Sequence, residues 1–155
     1  MCCGFSKVVA ILIEVSCRAF IISNNKILLC KQKMPPRTFW ALPGGRLSDG
    51  ETLVDCLQRE ILEELGVLVK VDKMLFIREL ITDFRHRIEF LFLIANTDDL
   101  SFNDNITACN EIESVRFFSL DELSASEVKP KCLYDLALMY FNGQGPFPLH
   151  IGNAR

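Results

Sequence analysis

Residues 45–67 read GRLSDGETLVDCLQREILEELGV, and the rest of the chain takes its meaning from them. Thr52 is a good helix N-cap, with Asp55 as its capping-box partner. Gly66 stands where a helix needs a left-handed residue to end it. The spacing predicts a helix over Leu53–Leu65, roughly 20 Å long at ~1.5 Å per residue. At ~100° per residue, Val54, Leu57, Ile61 and Leu65 form one stripe that should face a core. Glu60, Glu63 and Glu64 gather on its flank, because steps of three and four bring side chains together. These acids repel one another at the negative end of the helix dipole, where cations would be the stabilising choice. A purely structural helix gains nothing from that. Hard oxygen ligands crowded in this way are stabilised by binding Mg²⁺.

Upstream, Phe39-Trp40-Ala41-Leu42-Pro43-Gly44-Gly45 leads into the helix. Consecutive glycines let backbone approach a ligand more closely than any residue with a Cβ allows. The chain has 155 residues, one domain's worth, and is half hydrophobic with a formal charge of −3. That balance argues against a nucleic-acid polymer as partner, which calls for a basic stripe. Seven cysteines without a C-x-x-C pair argue against a disulfide framework or a zinc site. They read as reduced thiols, consistent with a cytoplasmic protein. The apolar run Val8–Ile13 is broken by Glu14 and Arg18, too short for a membrane span or a signal peptide.

The order of elements follows from local pattern. An N-terminal strand or extension occupies about residues 1–16, and Cys17–Ser23 continues it. Asn24-Asn25 turns the chain into Lys26–Lys31 as a hairpin. Lys33–Arg37, with two prolines, reads as a loop. After the helix, Val67–Val71 and Leu75–Leu80 read as strands, Thr82–Arg87 as a basic connection and Ile88–Ala95 as a strand. Thr97–Asn110 reads as a polar loop and Ser114–Phe118 as a strand. Ser119–Glu122 is a capping box, Lys131–Phe141 a last helix after Pro130, and 143–155 an irregular tail. Strands and helices in this order imply one α/β domain, a mixed β-sheet between helices.

The positions Gly45, Glu51, Arg59-Glu60-Ile61, Glu63-Glu64 and Gly66-Val67 resemble the complete signature of the Nudix hydrolase family, with no departure. The resemblance implies the Nudix fold, an α/β/α layering in which the acidic flank of the signature helix opens to a cleft. It implies a MutT-like pyrophosphatase that cleaves the diphosphate of a nucleoside diphosphate linked to another moiety, by water attack on phosphorus. Glu60, Glu63 and Glu64, with the Gly44 carbonyl, are the implied ligands of Mg²⁺ or Mn²⁺. Arg59 is expected to orient Glu51 or Glu63, and Glu111, ahead of Glu113, is the expected general base outside the helix. Arg18, Arg37, Trp40 and His86 are candidate substrate contacts, the arginines and histidine for phosphate or ribose and the tryptophan for a base. Markers of particular subgroups are missing: Ile81-Thr82-Asp83-Phe84 stand where ADP-ribose hydrolases carry a proline. That leaves a nucleoside triphosphate or modified nucleotide, a nucleotide sugar, or ADP-ribose. The alternatives are a catalytically silent nucleotide-binding domain, which the retained acids argue against, and an isoprenoid-diphosphate isomerase. Family members are often homodimers, and the apolar N-terminal strand is a candidate interface.

Overall fold

Asn24 and Asn25 both take positive φ, 49° and 57°, as a two-residue hairpin turn requires. They join strands β2 (Ile22–Ser23) and β3 (Lys26–Met34). The computed structural model describes residues 12–83, 85–97, 100 and 112–152. Within these, β1 (Leu12–Phe20) precedes the hairpin, and β4 (Arg37–Ala41) follows it. Next come α1 (Leu53–Leu65), β5 (Val71–Thr82), β6 (Arg85–Ile94), β7 (Ile112–Phe118), α2 (Leu120–Ser124), β8 (Val128–Lys129), α3 (Leu133–Phe141) and β9 (Leu149–Ile151).

The strands form two sheets. One runs β1-β6-β5-β9; the other runs β2-β3-β4-β8, with β7 also paired to β3. Both mix parallel and antiparallel neighbours. Alternation along the strands splits the core in two. Cys17, Ala19, Leu28 and Cys30 pack with Leu57, Ile61 and Leu65 of α1. Phe20, Ile27 and Leu29 pack instead with Leu123, Leu133 and Leu136 of α2 and α3. The sheets are therefore the filling between α1 on one side and the two shorter helices on the other. The α/β expectation of mixed sheet with helices holds.

Several local readings are corrected. Lys33–Arg37 is no loop: Lys33 pairs with Thr38 and Met34 with Arg37, so the chain turns only at Pro35-Pro36. Of the two strands expected at Val67–Val71 and Leu75–Leu80, the first is absent, since 67–70 is not strand, and the second lies within one longer strand, Val71–Thr82. Its register slips at Val71/Lys73 and Met74/Phe76, and each slip breaks the two-residue alternation that marks a strand. Thr82–Arg87 is likewise mostly strand, with Thr82 paired to Arg85 across a tight turn. The tail is not all irregular, since Leu149–Ile151 adds to β5 in parallel register. Val54 is 40% exposed, because the buried ridge steps Leu57–Ile61–Leu65 and is widened by Cys56.

Candidate active site

Helix α1 begins and ends as its caps dictate. The Thr52 hydroxyl accepts from the Asp55 amide at 3.2 Å, the Asp55 carboxylate accepts from the Thr52 amide at 3.2 Å, and Gly66 sits at φ 68°. These caps fix where the helix starts, and so which glutamates point at the sheet.

The preceding segment is zipped along β1. Pro43 O accepts from Ala19 N at 2.9 Å, Gly45 O from Cys17 N at 2.9 Å, and Val15 O from Leu47 N at 3.0 Å. Gly44 lies at φ +121°, and a Cβ there would sit 2.3 Å from Cys17 O. A Cβ on Gly45 would fall 2.2 Å from Glu60 Oε2. Gly44 is thus demanded by its positive φ and by backbone approach, while at Gly45 a side chain would have to displace the Glu60 carboxylate that lies over it.

Two carboxylates converge on these glycines. Glu60 covers Gly45, and Glu64 Oε2 accepts from Gly44 N at 2.7 Å. Burial pushes the Glu64 carboxyl up to about 7, against the pull of the Gly44 amide, the Arg18 charge and a hydrogen bond from Gln32. Some solvent still reaches the side chain, but surrounding protein strips enough water to make its charge costly. Gln32, on β3, was invisible in the sequence because nothing local to it marks a polar contact across the sheet.

Arg59 organises the rest. Its Nε donates to Glu51 Oε1 at 2.6 Å and its Nη2 to Glu51 Oε2 at 3.1 Å, a fork-to-fork pair. Nη1 reaches Glu60 Oε1 at 2.8 Å and Glu63 Oε2 at 3.3 Å, and Nη2 reaches Arg46 O at 3.1 Å. The hydrogen bond from Arg59, helped by the Ser48 amide, brings the Glu51 carboxyl down to about 2. Glu63 stands apart from the other two glutamates, 57% exposed on the far side of Arg59. Among the described residues no three His, Cys, Asp or Glu side chains form a metal-holding group. What remains is two carboxylates and the Gly44 carbonyl. Mg²⁺ is commonly bound through one or two carboxylates, with water and substrate phosphates completing the shell, so this donor set fits it.

The outlying candidates scatter. Arg18 is in the site: Nη1 donates to Gly44 O and, at 3.4 Å, to Leu42 O. Arg37 is exposed at the tip of the β3–β4 hairpin. Trp40 packs edge-on against Phe118 at 4.8 Å, part of the core under α2 and α3. His86 lies 3.6 Å from Glu79 Oε2, and by alternation its strand face is opposite to that of Arg85 and Arg87. Glu111 lies outside the described residues. Glu113 is exposed and paired with Lys31 at 3.0 Å. A groove of about 400 Å³ opens beside α2, lined by Leu123, Val128, Lys129 and Tyr134, and contains none of the candidates. The sequence reading also passed over Glu14, Arg46, Arg85, Arg87 and Glu89. Glu14 accepts from Arg87 at 2.8 Å and lies 3.5 Å from both Arg46 and Arg85.

Comparison with known proteins places this geometry in a family. A model of the NUDIX domain matches residues 14–136. The nucleoside triphosphatase NudI of Enterobacter sp. (strain 638) is 29% identical over 120 residues, 70% of this chain and 84% of that protein. Shorter matches, each over 39% of this chain, are the human 8-oxo-dGDP phosphatase NUDT18 at 38% identity and the ADP-ribose pyrophosphatase of Methanocaldococcus jannaschii at 44%. The matched parts span only 19% and 37% of those two proteins' lengths. The crystal structure of a MutT NUDIX hydrolase from Burkholderia pseudomallei superposes with a TM-score of 0.68 at 26% identity, covering 82% of this chain and 96% of that one. No helix among the described residues is long and apolar enough to cross a membrane. With the domain model spanning most of its length and Glu60 and Glu64 folded over Gly44 and Gly45, this chain belongs to the Nudix family.

Proposed function

We propose that this Nudix domain is a Mg²⁺-dependent pyrophosphohydrolase, with Mn²⁺ as substitute, acting on a nucleoside diphosphate linked to a further group. The observation that carries the reading is the convergence of Glu60 and Glu64 on Gly44-Gly45, where a side chain at Gly45 would collide with a carboxylate. Glu60, Glu64 and the Gly44 carbonyl would hold the cation, and Glu63 is near enough to join through movement of its exposed side chain. When bound, the cation neutralises diphosphate oxygens and makes a neighbouring water more acidic.

The protein's own groups do the rest. Arg59 spends its donors on Glu51, Glu60, Glu63 and the Arg46 carbonyl, so it is a positioning residue that fixes the helix against the loop. Glu51, with both oxygens engaged and its carboxyl held near 2, is too weak a base to take a proton at neutral pH. We assign the proton acceptor to Glu111. Water adds to one phosphorus, the bridging P–O bond breaks, and the bridging oxygen leaves with the other phosphate. The products are a nucleoside monophosphate and the phosphorylated remainder.

Named relatives act on different nucleotides, an 8-oxo-dGDP, an ADP-ribose and nucleoside triphosphates, which have in common a nucleoside joined to a diphosphate. The test is incubation with Mg²⁺ and a panel of nucleoside triphosphates, nucleotide sugars and ADP-ribose, with chromatography for released monophosphate. No product from any of them, with or without Mn²⁺, would leave a binding domain and sink the enzyme reading. A cytoplasmic setting and a homodimer built on the N-terminal strand belong to the same proposal, and sedimentation of the purified chain tests the dimer.

A further inference from the structure

Residues 43–45 run antiparallel to β1 through two backbone hydrogen bonds, from Ala19 N to Pro43 O and from Cys17 N to Gly45 O, so Gly44 stands directly across from Arg18. The approach is close: a Cβ on Gly44 would fall 3.2 Å from Arg18 Cα. Both polar groups of Gly44 are taken by ionisable side chains. Its amide donates to Glu64 at 2.7 Å, and its carbonyl accepts from Arg18 Nη1, which also reaches Leu42 O at 3.4 Å.

Pairing of opposite charges alone would not choose this placement. A guanidinium bonds a carboxylate more strongly than it bonds a carbonyl. Glu89 Oε1 lies 3.8 Å from Arg18 Nε, just beyond hydrogen-bond range, yet the printed donors of Arg18 go to two neutral carbonyls. Glu89 is 5% exposed and its Oε2 is held by Arg78 at 2.8 Å, so it is a fixed acceptor beside Arg18.

The Gly44 carbonyl therefore has two claimants. A Mg²⁺ ion would bind that oxygen at about 2.1 Å. A guanidinium nitrogen hydrogen-bonded to the same oxygen would then stand about 4 Å from the ion. Like charges that close repel strongly where protein excludes water, and Glu64 beside them is half-buried.

We propose that Arg18 is the resident counter-cation of the Glu60–Glu64–Gly44 seat: it holds the Gly44 carbonyl in place, opposes loading of the divalent ion, and shifts to Glu89 when the ion is loaded. The move is small, since closing 3.8 Å to a hydrogen bond of about 2.9 Å takes roughly 1 Å. Arg18 is thus a positioning residue that sets how much Mg²⁺ the site requires, in place of the substrate contact suggested by the sequence. This inference rests on the reading of Glu60, Glu64 and the Gly44 carbonyl as a cation seat.

Mn²⁺ binding without nucleotide, followed by electron paramagnetic resonance, reads the competition directly. Arg18→Gln should bind Mn²⁺ about tenfold more tightly or better, because one opposing charge at ~4 Å is gone. A side chain that merely braced the loop would give the opposite sign. Arg18→Lys keeps the charge and should stay near wild type. A second readout needs no change at Arg18. The Arg18 Nε–Hε resonance should move downfield as Mg²⁺ is added, because that N–H closes on Glu89, and its midpoint should match that of metal binding. Glu64→Gln should abolish the response. An Arg18→Gln affinity equal to or weaker than that of wild type, an equal gain in Arg18→Lys, or a resonance indifferent to Mg²⁺ overturns the proposal, while Mn²⁺ binding that depends on Glu64 leaves the seat standing. If no form binds Mn²⁺, or if Glu64→Gln binds it as well as wild type does, the seat itself is lost and the proposal with it.

Discussion

The two charged regions that meet at Gly44 are inverses of each other. On the α1 side, Glu51, Glu60 and Glu63 surround one cation, Arg59. On the β1–β6 side, Arg46, Arg85 and Arg87 surround one anion, Glu14. Each gathers a surplus of one sign around a single counter-ion. The difference is how they are assembled. The acidic group comes from one helix turn and its approach, so sequence spacing reveals it. The basic group joins residues as far apart as Glu14 and Arg87, brought together only by parallel pairing of β1 with β6.

The sharpest way to break the comparison is to neutralise the acidic side. Glu60→Gln or Glu64→Gln should lower kcat by about 10²–10³, the range found when one group aimed at developing charge is removed. Melting temperature without metal should hold or rise, since repulsion is relieved. Near wild-type kcat in both variants would detach these glutamates from the chemistry.

Next in size is a pH effect confined to the metal-free protein. The folded-state pKa of Glu64 is raised, from an ordinary 4.5 to about 7. Its contribution to stability is therefore fully present below pH 4.5 and is lost as pH rises through 7. The loss amounts to at most about 3.5 kcal/mol at ~1.4 kcal/mol per pH unit. Urea unfolding in chelator should show stability falling over that window. Glu64→Gln should flatten the curve, and Mg²⁺ should restore wild-type stability above pH 7. A wild-type curve that is flat between pH 4.5 and 7.5 would mean that water reaches this carboxylate freely.

Arg59→Lys comes third. A lysine keeps the charge but cannot hold Glu51 with two parallel donors while reaching Glu60. Loss of a group that orients ligands typically costs 10–100-fold. That loss should fall on the Mg²⁺ concentration for half-maximal activity, read from direct Mn²⁺ binding by electron paramagnetic resonance as well as from rate. Unaltered Mn²⁺ affinity would reduce Arg59 to an ordinary surface ion pair.

How far the sequence could be read follows the same division. Helix α1, its caps and its glutamates were legible because every relevant contact lies within a few residues, apart from Gly44 and Gly45 just upstream. The α2 capping box was legible for that reason too. Where pairing is long-range, local pattern misled. Bulges in β5 broke its alternation, β9 was too short to register beside Gly and Pro, and Arg85 and Arg87 read as a basic connection when they lie on a strand. Gln32 and Ser16 carry no signal at all. Gln32 stands between two lysines and Ser16 is one small residue in an apolar strand, so nothing local singles either out.

The smallest effects isolate position from stability, through the two capping boxes. Thr52 caps α1 and Ser119 caps α2, each with its hydroxyl on the third amide and a carboxylate returning to its own amide. Replacing either by alanine removes the same bonds and should cost about 1 kcal/mol of unfolding free energy. The consequences for the site should differ. Loosening the first turn of α1 lets Glu51 and Arg59 shift, so Thr52→Ala should raise the Mg²⁺ requirement a few-fold. Ser119→Ala disturbs a helix whose main neighbours are α3 and β7, on the side of the sheets away from α1, and should leave that requirement alone. Equal Mg²⁺ curves for the two variants, at equal stability loss, would show that the glutamates are held by the loop and the sheet, and that the helix start contributes nothing to their aim.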